Sequence, residues 1–438
     1  MSSFAENSEP NTVYFKTLAL ENVRCFKGQH EVDFRDGHGK PAQWTVILGN
    51  NNTGKTTILK ALADMNKYEK IVIEPNFAPN MEKVKDMYLL SSLASNRMGG
   101  LIIGLDGVIN IHLFVEESTD FKIGEKPYGS LFGINRRNGG HPNWQVNSIV
   151  TNLNLYGYGT SRFMSNNGGM AEDSTAGIFD NKSELLNAEQ WLKDLHLAKV
   201  NNSKDAEKRY AQVEDILCGG LLPDVSKIQI TTIPDKSSYD TFPEFLTPYG
   251  WVRLRDLGYG YQATLAWVAD LAKRMFDRYP DLENPLVGPA VVLVDEIDLH
   301  LHPEWQRKIM KYLSDLFLNT QFIVTAHSPL IVQSAKDVNV VMLEVDEDEI
   351  KGINIRQRFG SFQGWTVDEI LTELMNLGSR TRSDRYLELM QTFEDSVLED
   401  NYEKAQNAYN ELDSILSPSS YQRKVLQIQM SSLIPVAV

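Results

Sequence analysis

The chain has 438 residues, a net charge of −15 and a pI of about 5.1, so a uniformly basic nucleic-acid coat is excluded, although a local basic groove is not. At roughly 150 residues per domain the length suggests about three domains, and 42% hydrophobic with 23% charged residues excludes a largely disordered chain. Two cysteines, Cys25 and Cys218, are too few for a disulfide-built fold or a Cys-rich zinc module, and no apolar run approaches the ~20 residues that cross a bilayer.

Residues 1–12 are polar, with neither the basic nor the apolar region of a signal peptide, so a cytoplasmic address is expected. Val13–Asn22 and Gln29–Phe34 alternate as the two strands of a hairpin. Trp44–Leu48 is an apolar run closed by Gly49, and a helical pattern starts near Lys55 (Ile58, Leu59, Leu62, Met65). Met98–Glu117 reads as strand. Residues 118–182, rich in Gly, Asn and Ser, read as loops and an insertion. Ala188–Leu195 and Ala206–Leu217 are expected helices and Ile228–Thr232 a strand. Further on, helices are expected over Thr264–Tyr279 and from Pro303 through Leu316, with strands at Ala290–Val294, Phe322–Thr325 and Val338–Leu343. Strands alternating with helices imply an α/β core.

The last segment changes character. Thr366-Val-Asp-Glu369 forms a capping-box pattern. Residues 384–413 carry nine acids and two bases, while Tyr402, Ala405, Ala408, Tyr409, Leu412 and Leu416 share a helical face. A helical appendage with a hairpin closed near Ser417-Pro418 is expected, without a long coiled-coil arm.

The chemistry is concentrated in four places. Gly49-Asn50-Asn51-Asn52-Thr53-Gly54-Lys55-Thr56, followed by Thr57, matches a phosphate loop between strand and helix. Its glycines let backbone N–H groups face phosphate, Lys55 reaches the terminal phosphates, and the Thr56 hydroxyl ligates Mg²⁺. Val291–Val294 delivers Asp295, suited to hold Mg²⁺ through water, and Glu296, suited to orient or deprotonate an attacking water. Phe322–Thr325 leads to His327, which can contact a terminal phosphate. A Gly-rich turn, Leu257-Gly258-Tyr-Gly260-Tyr-Gln262, stands at a helix mouth, where backbone N–H groups suit an anion. His300 and His302 lack a third ligand for a metal centre. Arg136, Arg137, Arg356 and Arg358 are candidate nucleic-acid contacts, each equally at home on a solvated surface, and Arg162 is a candidate for reaching nucleotide.

This set resembles the ABC/SMC-type ATPases, whose signature motif in one subunit caps the nucleotide of the other. The resemblance makes Gly258 and Gly260 nucleotide contacts in trans, with Gly258 where a serine is usual, and Asp298–Pro303 the dimer-seam loop. No glutamine loop is evident between the two Walker motifs. The blocks Tyr156–Arg162, Ala188–Leu192, Leu257–Gln262, Asp295–Pro303 and Gly364–Ile370 resemble bacterial ATPases of the overcoming-lysogenization-defect type, and among them the PtuA-like group of Septu and retron anti-phage systems.

The resemblance implies an ABC-type P-loop ATPase of α/β class, with a mixed-sheet core, an N-terminal β-hairpin and a C-terminal helical appendage. The expected parts are a lobe with Walker A at 1–117, an insertion and helical subdomain at 118–250, a lobe with signature, Walker B and histidine switch at 251–360, and a partner-docking region at 361–438. It implies ATP and Mg²⁺ as cofactors, Glu296, His327 and Lys55 as catalytic groups, Thr56 and Asp295 at the metal, and a homodimer or higher homo-oligomer. An HNH nuclease subunit is the implied partner, with DNA or RNA a further candidate and no membrane. No nuclease constellation occurs in the chain itself. A RecF-like DNA repair ATPase, and an ATP-gated scaffold of another defence system with a TOPRIM nuclease partner, are the alternatives.

Overall fold

The computed structural model describes residues 12–64, 103–116, 131–135, 143–146, 153–165, 170–222, 224–235, 238–334, 336–345 and 352–433. These divide into two units, Met1–Trp365 and Thr366–Val438. Arg136 and Arg137 lie outside the described residues.

In the first unit, β1 (Thr12–Val23) and β2 (Phe26–Asp33) form the expected N-terminal hairpin. It joins β4 (Ile103–Glu116), β5 (Leu131–Asn135) and β6 (Asn143–Val146) in an antiparallel sheet of order β2-β1-β4-β5-β6. The second sheet holds the strands that lead into the Gly49–Thr56, Asp295–Glu296 and His327 motifs. Its order is β14-β13-β3-β12-β11-β7, built from β3 (Trp44–Gly49), β7 (Leu155–Tyr158), β11 (Ala290–Val294), β12 (Thr320–Thr325), β13 (Val338–Val345) and β14 (Ile353–Gly360). All neighbours are parallel except β14, which runs antiparallel at one edge. A sheet covered on both faces needs apolar residues at consecutive positions, and every residue of β11 and β12 is buried.

Val291 and Leu293 face a core shared with Phe15, Leu18 and Phe26 of the hairpin and Ile58, Leu59 and Leu62 of α1 (Lys55–Ala63). On β3 and β12, Trp44 stacks on Phe322 with ring centroids 4.3 Å apart, and Phe317 meets Phe322 edge-on. Helix α1 therefore begins where β3 ends, held by its apolar face against the hairpin.

The insertion contains α2 (Ala176–Phe179), α3 (Ala188–Val200) and α4 (Lys204–Ile216). A three-stranded antiparallel sheet follows, with β8 (Lys227–Asp235), β9 (Ser238–Thr247) and β10 (Gly250–Arg253) in the order β10-β9-β8. Helix α5 (Tyr259–Arg278) starts five residues earlier than its periodicity suggests and takes in the Gly-rich turn. It is buried without a break from Ala263 to Ala272, which explains why its apolar pattern runs all round. The helix expected from Pro303 through Leu316 is instead two: α6 (Pro303–Gln306) and α7 (Ile309–Leu316). The break accompanies a local anchor: Gln306 donates to the Leu301 carbonyl at 3.0 Å and accepts from the Ser328 hydroxyl at 2.6 Å. A short α8 (Pro329–Ser334) follows β12.

The second unit is helical. Thr366 and Glu369 complete a reciprocal capping box on α9 (Val367–Glu373). Helices α10 (Asp384–Leu398) and α11 (Tyr402–Ile415) make a hairpin whose turn lies at Glu399–Asn401, not near Ser417-Pro418. Ser417–Ser420 leads instead to a further helix, α12 (Tyr421–Ser432). Ala405, Ala408 and Leu412 of the expected face bury against Phe393, Leu426 and Met430, whereas Tyr402 stays exposed. Among the described residues no helix is long and apolar enough to cross a membrane.

Candidate functional site

The loop from Gly49 to Thr56 joins the buried end of β3 to the start of α1. Gly54 has φ +99°, and a Cβ there would lie 2.7 Å from Cys25 Sγ and the Phe26 ring. Only glycine satisfies both conditions. Asn50, Asn51 and Asn52 are exposed, while Thr53 is buried and donates its hydroxyl to the Asn50 carbonyl at 2.9 Å. Lys55 Nζ donates to the carbonyls of Gly49 (2.6 Å) and Asn50 (2.9 Å). Burial pushes the Lys55 ammonium below its ordinary pKa, against the pull of Asp295, Glu296 and Asp298.

Parallel pairing of β3 with β12, and of β12 with β11, brings the three chemical strand ends side by side. The Thr56 hydroxyl donates to Asp295 Oδ2 at 2.9 Å, and the Thr325 hydroxyl donates to Asp295 Oδ1 at 2.6 Å. The same Thr325 oxygen accepts the Glu296 N–H at 2.7 Å. Glu296 Oε1 lies 3.9 Å from His327 Nε2, both side chains being about one-third exposed. The His327 N–H reaches Asp298 Oδ2 at 3.0 Å. The ends of the Gly49–Thr56 loop, the Asp295–Glu296 turn and the His327 segment thus come together. A hydroxyl and a carboxylate, both hard oxygen donors, stand together there and fit Mg²⁺. Neither Thr325 nor Asp298 was singled out as a site residue from sequence; the signal available was their place on the Walker B and switch segments.

Gly258 and Gly260 belong to a neighbouring patch. Gly258 caps α5, and a Cβ on Gly260 would lie 2.3 Å from the His300 carbonyl oxygen. The Tyr259 ring meets the His300 ring edge-on at 4.7 Å, so the Gly-rich turn and the Asp298–Pro303 loop pack together within one chain. His302 accepts the Glu304 N–H and so caps α6. Thr57 is buried in α1, where Arg24 of the β1–β2 turn approaches its hydroxyl at 3.5 Å.

Three of the candidate arginines are engaged within the chain. Arg162 is buried beneath the Walker B turn and donates to main-chain carbonyls of Asp295, Glu296 and Gly159. Desolvation lowers its guanidinium to about 10, with Asp295, Asp298 and Glu296 opposing, so it stays charged at neutral pH. Arg356 pairs with Glu344 at 2.7 Å, and Arg358 lies 4.6 Å over the Trp365 ring, so both are engaged within the unit.

The family described as "AAA domain, putative AbiEii toxin, Type IV TA system" matches residues 193–333, and one described as "AAA domain" matches residues 17–65. A Septu protein PtuA from Bacillus thuringiensis is 37% identical over 199 residues, covering 44% of this chain and 49% of that protein. A Septu protein PtuA from Bacillus mycoides (strain KBAB4) is 25% identical over 369 residues, covering 82% and 44%. The Retron Ec83 probable ATPase of Escherichia coli is 36% identical over 146 residues, covering 33% and 26%. The chain thus matches AAA-domain models over two segments and is similar in part to Septu PtuA proteins and a retron ATPase. It spans at most about half the length of these curated relatives.

Among solved structures, this chain superposes on the SMC head bound to the C-winged helix domain of ScpA with a TM-score of 0.45 and 16% identity, covering 79% of this chain and 97% of that one. The SMC head domain from Thermotoga maritima gives 0.40 and 14%, covering 78% and 98%. The resemblance read from the sequence agrees with the names of the curated relatives.

Proposed function

We propose that this ATPase binds ATP with Mg²⁺ in the cleft between Gly49–Thr56 and Asp295–Glu296 and hydrolyses it between two copies of the chain. Gly258 and Gly260 of one copy close the site of the other. The observation that carries the reading is the Thr56–Asp295–Thr325–Glu296 chain of hydrogen bonds, which joins three strand ends into one oxygen-rich site. Lys55 holds the terminal phosphates. Thr56 and Asp295 would hold Mg²⁺, which supplies neutralisation of phosphate charge when bound. Glu296 orients and takes a proton from the attacking water, and His327 sits beside it.

Nucleotide state in turn controls a separate HNH nuclease seated on the helical unit 366–438, within a cytoplasmic anti-phage defence complex. Support for the defence role comes from the Septu and retron names of the relatives. The ATP reading is tested by calorimetry and phosphate release on the full chain. Lys55→Ala should lose ATP binding, and Glu296→Gln should bind but turn over only at a small residual rate. No binding heat with wild-type protein would refute it. The partner reading is tested by co-purification: a chain lacking residues 366–438 that retains the HNH subunit fully would refute the docking claim.

A further inference from the structure

Arg162 is a buried cation whose described hydrogen bonds all go to main-chain oxygens. Nη2 reaches the Asp295 carbonyl at 2.5 Å and the Glu296 carbonyl at 2.8 Å, and Nε reaches the Gly159 carbonyl at 3.1 Å. The residue it grips is unusual: Glu296 has φ +51°, a left-handed conformation that a non-glycine residue keeps only when its surroundings impose it. The peptide is pinned on its other side by the Glu296 N–H bond to the Thr325 hydroxyl at 2.7 Å. Amide and carbonyl of Glu296 are thus both held, and its carboxylate is aimed by a backbone that cannot relax.

The approach of Arg162 is built as well. Strand β7 pairs with β11, Tyr158 opposite Val294, and the Asp295 N–H continues the ladder to the Tyr158 carbonyl at 2.8 Å. A Cβ on Gly159 would lie 2.1 Å from the Gly177 carbonyl oxygen, so a residue without one lets the chain turn under the Walker B end. The Tyr158 hydroxyl donates to the buried Asp270 of α5 at 3.0 Å. The segment 155–162 is therefore fixed at one end to the helix that carries the signature turn and at the other to the Walker B backbone.

We propose that Arg162 is a positioning residue for hydrolysis, holding the Asp295–Glu296 turn so that the Glu296 carboxylate stands in its working orientation. This rests on the ATPase reading above. A lysine cannot replace it in full, because its single nitrogen cannot serve the Asp295 and Glu296 carbonyls as Nη2 does and also the Gly159 carbonyl as Nε does.

The test uses the full chain with Arg162→Ala and Arg162→Lys, read by ATP–Mg²⁺ calorimetry, steady-state hydrolysis and melting. Binding and KM should stay within about twofold. kcat should fall roughly 30- to 100-fold in Arg162→Ala, the scale of a small misplacement of a reacting group, and Arg162→Lys should recover less than tenfold of that. Adding Arg162→Ala to Glu296→Gln should cost nothing further, because the two changes disable one device. Wild-type kcat in Arg162→Ala, an equal collapse of ATP binding, or losses that multiply with Glu296→Gln would overturn the inference. If Arg162→Ala gives no cooperative melt, Arg162→Lys decides: full kcat overturns the inference, and reduced kcat at unchanged affinity supports it. Wild-type protein that never turns over ATP would overturn the ATPase reading itself, a result distinct from turnover that ignores Arg162.

Discussion

The hydroxyl of Thr325 is the smallest group whose loss should disturb both the stability and the chemistry of the site. Thr325 is fully buried, donates to Asp295 Oδ1 at 2.6 Å and accepts the Glu296 N–H at 2.7 Å. Thr325→Val keeps the volume and removes both bonds. A hydrogen bond to a carboxylate contributes about 1.5–3 kcal/mol, and an orphaned buried N–H costs about 1–3 kcal/mol. Burying a methyl in place of a hydroxyl returns about 1 kcal/mol. The net loss should be about 1.5–5 kcal/mol. Thr325→Ser keeps the bonds and loses one methyl, for about 1 kcal/mol. Urea unfolding followed by tryptophan fluorescence orders the three proteins, and phosphate release at saturating ATP reports the chemistry. The expected order is wild type, then serine, then valine, with kcat retained in serine and reduced in valine. If Thr325→Val were more stable than Thr325→Ser, packing rather than hydrogen bonding would hold this site together, and the argument would fail.

Other substitutions read separate parts of the molecule. Gly54→Ala places a Cβ 2.7 Å from Cys25 Sγ at φ +99° and should weaken ATP binding about tenfold or more in calorimetry, since left-handed strain alone costs about 1–2 kcal/mol. Asp270→Ala removes the carboxylate that accepts from Tyr158, Arg274 and the Leu186 N–H, and leaves the Arg274 cation in a buried site. Urea unfolding should register a loss of about 3–5 kcal/mol, against about 1 kcal/mol for Tyr158→Phe. Thr366→Ala opens the capping box of α9 and costs about 1 kcal/mol, so amide exchange in Val367–Ile370 should quicken about fivefold while exchange in β11 is unchanged.

Strands β3, β11 and β12 were legible because burial on both faces demands an unbroken apolar run, and the motifs at their ends follow from the same runs. Strand β7 was not: Leu-Tyr-Gly-Tyr carries a glycine, which ordinarily weakens a strand, and reads as loop. The reason for that glycine exists only in three dimensions, where a Cβ on Gly157 would come within 2.8 Å of Ile178. The start of α5 was misjudged for a related cause. Gly258 and Gly260 read as a breaker, yet Gly260 sits inside the helix because the His300 carbonyl occupies the space of its side chain. The same logic separates the two cations of the site. Lys55 lies within a loop whose spacing carries an expected task, so a reading of it could be made from sequence. Arg162 follows a strand end with no such spacing, and a positive charge near a phosphate site points to nucleotide by default. Which face of the Walker B turn it occupies depends on how β7 docks beside β11, a long-range pairing that local pattern does not encode. A cation bonded to the carbonyls of that turn would, on the proposal above, act on hydrolysis only through the backbone it holds.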